Sequence, residues 1–259
     1  MNTTTSSSNP IPNRILAAGS VCLLWLSLST FVPGRASAGE QSAESDFARS
    51  RREMVERDLR GRGIKDQRVL EVMGHVPRHL FVSEKQRAFA YQDRPLPIGE
   101  GQTISQPYVV ALMTKLLELQ GSEKVLEVGA GSGYQAAILS RLAQEVYTIE
   151  ILPALAERAK ETLARLGYTN IRVKAGDGFF GWEEKAPFDA ILVTAAAEKI
   201  PDPLWRQLRE DGRLVMPMGE EGRTQRLIRV RKRAGRPQVE NITEVLFVPM
   251  TGTVQKETR

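Results

Sequence analysis

Apolar positions recur in two rhythms along this chain. Up to about residue 120 the spacing is helical. In "DFARSRREMVERDLRGRGI", 46–64, Met54, Val55 and Leu59 fall on one side of a helix and charges occupy the rest. "DQRVLEVMGHVPRHLFV", 66–82, predicts a second short helix stopped near Pro77. "DRPLPIGEGQTISQP", 93–107, predicts a loop rich in Gly and Pro. "YVVALMTKLLEL", 108–119, predicts a helix with a wide apolar face, and Pro107 suits its first turn.

From Lys124 the rhythm changes. Apolar runs "KVLEVG" (124–129), "EVYTIE" (145–150), "IRVKAG" (171–176), "FDAILVTA" (188–195) and "GRLVMPMG" (212–219) predict strands. Helical stretches over 134–143, 153–166 and 203–209 separate them. Such alternation, with near-continuous apolar strands, predicts a parallel sheet covered on both faces. "QRLIRVRKR" (225–233) and "ITEVLFVPM" (242–250) have no helix between them. They predict a hairpin that finishes the sheet antiparallel. In the first of them, Leu227, Ile228 and Val230 alternate with Arg229 and Arg231, as in a half-exposed strand with a basic face. Trp182, Phe179 and His79 read as packing or loop-fixing residues.

Composition sets further bounds. The chain has 259 residues, 41% hydrophobic and 26% charged, ordinary values for a globular protein with a sizeable core. Residues 1–38 stand apart. A polar start ending in Arg14 leads into the uncharged run "ILAAGSVCLLWLSLSTFV" and then "ASA", the layout of a secretory leader cleaved after Ala38. The competing reading is an uncleaved anchor, since the run is about long enough to span a bilayer. The expected location is therefore exported, periplasmic in a bacterium, with no stable membrane association after cleavage. A cytoplasmic protein is the alternative. Loss of Arg14 and Arg35 with the leader takes the net charge from +5 to +3, which does not argue for nucleic acid. Cys22, the only cysteine, goes too, and with it thiolate catalysis and disulfides. Residues 39–46 read as a linker, 47–120 as a helical cap, and 47–259 as one domain.

The stretch "VLEVGAGSGYQAAIL", 125–139, carries the chemistry. Gly129, Gly131 and Gly133 follow a strand and open a helix, so a ligand can approach bare backbone beside a helix N-terminus. The spacing is G-x-G-x-G, not the G-x-G-x-x-G of dinucleotide enzymes, which disfavours a dehydrogenase. Glu127 lies in the strand just before it. The next strand ends at Glu150, placed to accept from ribose hydroxyls. The third ends in "AGDG", where Asp177 is placed to accept from an adenine amino group, beside Gly178. Ligands of open parallel sheets bind at these carboxyl ends. His75 and His79, without an acid cluster, predict no metal site.

This constellation resembles the class I S-adenosyl-L-methionine-dependent methyltransferases. The resemblance implies an α/β fold, a doubly wound, Rossmann-like seven-stranded sheet, mostly parallel with an antiparallel last strand, preceded by N-terminal helices. "VPRHLFV", "GQTISQP", "AGDG", "PFDAILVTAAAEKIP", "LREDGRLVMPMG" and "FVPMTG", over about 47–252, look like the protein-L-isoaspartate O-methyltransferase family. That implies methyl transfer from S-adenosyl-L-methionine to the α-carboxyl of isoaspartyl residues in damaged proteins and peptides, by a monomer. It also implies that Ser105 is the active-site residue, orienting the substrate carboxylate. Capping of the helix after Pro107 is the other reading of Ser105. Gln102, Thr103 and Ile104 join it at the cofactor. Thr194, Ala195 and Ala196 are small enough to leave room for a peptide, and Thr251 closes the site. A carboxylate is already ionised at neutral pH, so the lack of a free cysteine, or of a triad, fits this chemistry. Two alternatives remain open here: a methyltransferase for another carboxylate or small molecule, and a non-catalytic binder of damaged peptides.

Overall fold

A computed structural model describes residues 38–257. The predicted leader falls almost entirely outside that range, as does Cys22. Among the described residues, no helix is long and apolar enough to cross a membrane.

Helix α1 (Ala38–Glu53) runs on through a π-helical stretch, Met54–Arg60, and is followed by α2 (Gln67–His75). The expected linker over 39–46 is therefore helical. Ala43 and Glu44 are good helix formers, and no proline interrupts the stretch. The body also holds the helix in place. Arg51 donates to the Gly74 carbonyl and to the Tyr91 hydroxyl, each at 2.9 Å, and Phe47 stacks on His79 with ring centroids 4.1 Å apart. Met54, Val55 and Leu59 are buried, as the helical spacing requires. Asp66 caps α2 by accepting from the amides of Arg68 and Val69.

The stretch expected as a plain loop contains a hairpin, β1 (Leu96–Gly99) and β2 (Gln102–Ile104). Its turn residues Glu100 and Gly101 have φ of 53° and 71°, the positive pair that a tight two-residue turn needs. Leu96 and Ile98 point inward and are buried. Helix α3 (Pro107–Leu116) then leads to β3 (Lys124–Val128), α4 (Tyr134–Ser140), β4 (Glu145–Glu150), α5 (Pro153–Arg165) and β5 (Ile171–Ala175). β6 (Phe188–Val193), α6 (Asp202–Gln207), β7 (Leu208–Met218), β8 (Gln225–Arg233), β9 (Arg236–Val245) and the short α7 (Val254–Glu257) complete the order.

The seven-stranded sheet has the order β5-β4-β3-β6-β7-β8-β9. The first five strands are parallel, and β8 and β9 add two antiparallel ladders. Central strands β3 and β6 are lined with wholly buried Val125, Leu126, Ile191 and Leu192, as strands covered on both faces must be. The order reverses at β3, so the crevice at the carboxyl ends of β3, β4 and β6 is the place for a ligand. The last strand lies six residues earlier than its apolar run suggested. Ala234 and Gly235, with φ of 50° and 70°, make a two-residue turn that pairs Arg233 with Arg236. β9 is an edge strand, polar and exposed, so the hydrophobic pattern passed over it. The apolar run "LFVPM" leaves the sheet instead.

The basic face of β8 has a structural use. Glu118, just past α3, accepts from Arg229 at 2.7 Å and from Arg231 at 2.6 Å, and lies 3.6 Å from Arg213 of β7. One carboxylate thus gathers three guanidiniums and ties α3 to the sheet. Burial alone would raise the Glu118 pKa, but the Arg231 hydrogen bond and the three positive charges outweigh it and hold it below the usual carboxylate value. A depressed folded-state pKa adds stability that is present at neutral pH and lost as pH falls through it. Glu118→Gln is expected to cost about 1 kcal/mol at pH 7, or ~3 °C in Tm. In urea unfolding series, the gap between the two proteins should close well below pH 4.5. A gap that persists there would assign Glu118 a role other than charge.

Candidate functional site

The β3–α4 loop takes its shape from glycines that need positive φ, 98° at Gly129 and 53° at Gly131. A Cβ on Gly129 would lie 2.3 Å from Oγ1 of Thr194. That hydroxyl in turn reaches the carbonyls of Gly129, at 2.8 Å, and Val128, at 3.0 Å. Gly129 and Gly131 line a cavity at the switch point. Gly133 does not. It sets the start of α4 against α5, with Leu163 only 3.2 Å from where its Cβ would be, so its expected cofactor role becomes a packing role.

The three strand-end acids separate. Glu150 lines the cavity and is almost fully buried. Its Oε2 accepts from the Gly131 amide at 2.8 Å and its Oε1 from the Leu152 amide at 3.1 Å. Each oxygen keeps a further lone pair for a ribose hydroxyl. Asp177 is not among the lining residues. Its Oδ1 accepts from the Phe179 amide at 2.9 Å and its Oδ2 from the Thr253 amide at 2.8 Å. The carboxylate thus caps its own loop and ties down the C-terminal segment. Gly178 beside it does line the cavity, and a Cβ there would lie 2.3 Å from Val128. Glu127 is also absent from the lining. It is wholly buried in β3 just before the loop, and neither carboxylate oxygen has a hydrogen-bond partner among the described residues. Burial pushes its pKa up to about 8; the nearby Thr148 hydroxyl opposes the rise and the Glu150 charge adds to it.

Gln102, Thr103, Ile104 and Ser105 all line the cavity, carried there by β2. Ser105 does not cap α3. The N-cap position is Gln106, and its side chain makes no cap hydrogen bond. Asp93 supplies that function from another part of the chain, accepting from the Tyr108 amide at 2.9 Å while Gln106 donates to it at 2.8 Å. The Ser105 hydroxyl is left for the cavity.

Thr194 and Ala195 line the cavity, whereas Ala196 is buried beside it. The Ala196 amide donates to the Val248 carbonyl at 2.9 Å, and its carbonyl accepts from the Met250 amide at 2.7 Å. Its small side chain admits a strap of chain rather than a peptide. That strap, Val248 to Thr251, forms a wall of the cavity. The expectation for Thr251 names one residue of it; Val248, Pro249 and Met250 carry no such signal, because the apolar run "LFVPM" reads as a strand. Tyr134, Gln135, Ile149 and Ile151 complete the apolar and amide surface. Among the described residues that line it, Glu150 is the only carboxylate and there is no Lys, Arg or His.

These residues suit an adenosine-type ligand. The carboxylate of Glu150 can take a ribose, bare backbone at Gly129 and Gly131 admits close approach, and isoleucines with Gly178 offer a flat apolar slot. Nothing in the lining is a strong base, so the site suits a reaction whose nucleophile arrives already ionised.

Glu127 gives a stability test. Its folded-state pKa lies above the unfolded one, so the folded protein keeps a proton that the unfolded chain has lost between about pH 4.5 and 8. Stability associated with this group is full below 4.5 and falls as pH rises through 8. Glu127→Gln is expected to flatten that fall and to leave the variant more stable than wild type by on the order of a few kcal/mol at pH 8.5. Parallel pH–stability curves for the two proteins would remove the buried, protonated carboxyl from the account.

Residues 49–255 match the family model for protein-L-isoaspartate(D-aspartate) O-methyltransferase. A protein-L-isoaspartate O-methyltransferase 2 from Shewanella sediminis is 52% identical over 239 residues, 92% of this chain and 98% of that protein. One of the same name from Anaeromyxobacter is 54% identical over 239 residues, 91% and 98% of the two chains. Among solved structures, a protein-L-isoaspartate O-methyltransferase superposes with a TM-score of 0.72 at 29% identity, covering 78% of this chain and 67% of that one. A Plasmodium falciparum chain assigned to the same activity, in complex with S-adenosyl-L-homocysteine, gives 0.68 at 28% identity, covering 78% and 98%. With its glycine loop, Glu150 and Ser105 in one cavity, the chain belongs to the protein-L-isoaspartate(D-aspartate) O-methyltransferase family.

Proposed function

We propose that this protein transfers a methyl group from S-adenosyl-L-methionine to the α-carboxyl of L-isoaspartyl residues in damaged proteins and peptides, the first step of their repair. The observation that carries the reading is the position of Ser105. Its hydroxyl is spared from capping by Asp93 and lines the same cavity as Glu150 and the glycine loop. The family match and the relatives' names support it.

Glu150, Gly129, Gly131 and Gly178 would hold the cofactor. When bound, it supplies an electrophilic methyl group on a sulfonium. The chain's own work is then positional. Ser105 Oγ donates a hydrogen bond to one carboxylate oxygen and leaves the other free to attack. The strap Val248–Thr251 and the apolar residues Ile104 and Val110 keep water away. No general base is required, because the acceptor is a carboxylate well above its pKa. The rate enhancement comes from orientation and exclusion of solvent.

Labelled S-adenosyl-L-methionine with two peptides, one carrying L-isoaspartate and one aspartate at the same position, tests this. Base-labile label is expected in the first alone. Label in neither peptide, or equally in both, would overturn the assignment. Ser105→Ala is expected to lower kcat about 10- to 100-fold with cofactor Kd changed less than about twofold. A fully active Ser105→Ala enzyme would mean that the carboxylate is oriented by another group.

A further inference from the structure

Among the described residues, a cavity that must admit a carboxylate has no cationic side chain in its wall, and its one carboxylate, Glu150, repels the substrate. A cation does stand against one residue of that wall, Tyr134. Arg78 is fully buried, in the short helical turn Arg78–Phe81. Its Nε donates to the Ala90 carbonyl at 2.8 Å, while Nη1 and Nη2 have no hydrogen-bond partner among the described residues. Its guanidinium carbon lies 4.9 Å from the centroid of the Tyr134 ring, and Tyr134 is itself a cavity residue. Phe81 packs edge-on against the same ring, with centroids 5.5 Å apart.

Three observations make this more than packing. The charge is kept: burial lowers the Arg78 pKa only to about 10, so it is a cation at neutral pH. It is not neutralised on the spot. The charged and titratable groups that act on it are Tyr134, Tyr91 and the more distant Asp93, and Asp93 is already engaged by Arg62, Gln106 and the Tyr108 amide. Its surroundings are also apolar, so its field is weakly screened on the side of the cavity. A buried arginine without a carboxylate partner is costly to stability, and apolar residues of its size would serve packing better.

We infer that Arg78 is a positioning residue that acts through Tyr134, giving the cavity a positive potential that draws in the anionic acceptor and opposes the cationic cofactor. The inference rests on the carboxyl-methyltransferase reading above. The two effects have opposite signs on the two ligands. In the transfer itself they offset, because a carboxylate and a sulfonium are consumed together, giving a neutral ester and a neutral thioether. The signature is thus in KM and in cofactor selectivity, with kcat little changed.

Wild type, Arg78→Met and Arg78→Lys separate the possibilities. Calorimetric titration with S-adenosyl-L-methionine and with S-adenosyl-L-homocysteine compares a cation with its neutral counterpart of almost the same shape. For Arg78→Met, affinity for the cationic form relative to the neutral one is expected to rise roughly three- to tenfold. The KM for the isoaspartyl peptide should rise by a similar factor, with kcat within about twofold. Arg78→Lys should restore wild-type values at pH 7. Loss of affinity for both cofactor forms alike, with a lower Tm and no rescue by lysine, would make Arg78 a packing residue and overturn the inference. Unchanged ratios would overturn it as well. If Arg78→Met does not fold, Arg78→Lys alone decides. A buried lysine loses its proton in the measurable range, so its cofactor ratio must drift with pH beyond any drift in wild type. The cofactor ratios need no turnover, so they test the field even if wild type fails to methylate the peptide and the functional reading falls.

Discussion

The site depends first on the hydrogen bond between the Gly131 amide and the Glu150 carboxylate, 2.8 Å long. It joins the ends of two neighbouring parallel strands, β3 and β4, whose register pairs Val128 with Ile149. Without it the glycine loop would be a stretch of permissive backbone with many conformations. With it the loop is held at a helix N-terminus, and the acid that holds it is also the acid that can face a ribose. Thr194 repeats the device on the other side, binding the Val128 and Gly129 carbonyls from the end of β6. The loop is thus clamped from both neighbouring strands.

A second set of ties brings distant chain to this clamp. Asp177 holds the Thr253 amide, and Gly252, with φ of 97°, has no room for a side chain against that carboxylate. Ala196 holds both Val248 and Met250. The C-terminal strap is therefore fastened at two points and supplies a wall that no strand could, since a strand would continue past the sheet edge. On the opposite side, Asp93 fixes the start of α3 and leaves Ser105 free. In both cases a carboxylate bonded to backbone amides frees or places a nearby residue that meets the cavity.

Much of the fold was legible in the sequence because the central strands are buried on both faces and write near-continuous apolar runs. β3, β4 and β6 lie within a residue or two of where those runs place them. Legibility failed where burial stops. β9 is an exposed edge and its ten residues carry little apolar signal, whereas the apolar "LFVPM" beside it packs as a strap. The hairpin over 96–104 was hidden by glycine and proline, although Glu100-Gly101 is a turn signal in hindsight. The N-terminal helix over 38–46 was hidden by small polar residues, and it runs on into the docked segment at Phe47 and Arg51. For the site, backbone-facing roles were readable and side-chain partners were not. Gly129, Gly131 and Glu150 reach the cavity, because strand ends on one sheet edge must converge, and residues 102–105 meet them there from the separate two-stranded hairpin. Asp177 and Gly133 sit in the same pattern, and their partners Thr253 and Leu163 are long-range contacts that no local spacing reveals.

The placement of charge around the cavity follows from the reaction. Carboxyl methylation destroys one negative and one positive charge together, so a site rich in fixed charges would stabilise the separated ions and oppose the transition state. What the structure provides is a wall of neutral side chains with one carboxylate in it, Glu150, already bonded to two amides. Two buried ionisable groups are set back from the wall. Glu127 lies in β3 just before the loop, where burial keeps it protonated over much of the neutral range. Arg78 lies against Tyr134, fully buried and charged. A group set back in this way changes the potential of the cavity without offering a hydrogen bond, so it biases which ligand binds by charge alone. The contact that orients the acceptor is left to the Ser105 hydroxyl, whose hydrogen bond is neutral and directional.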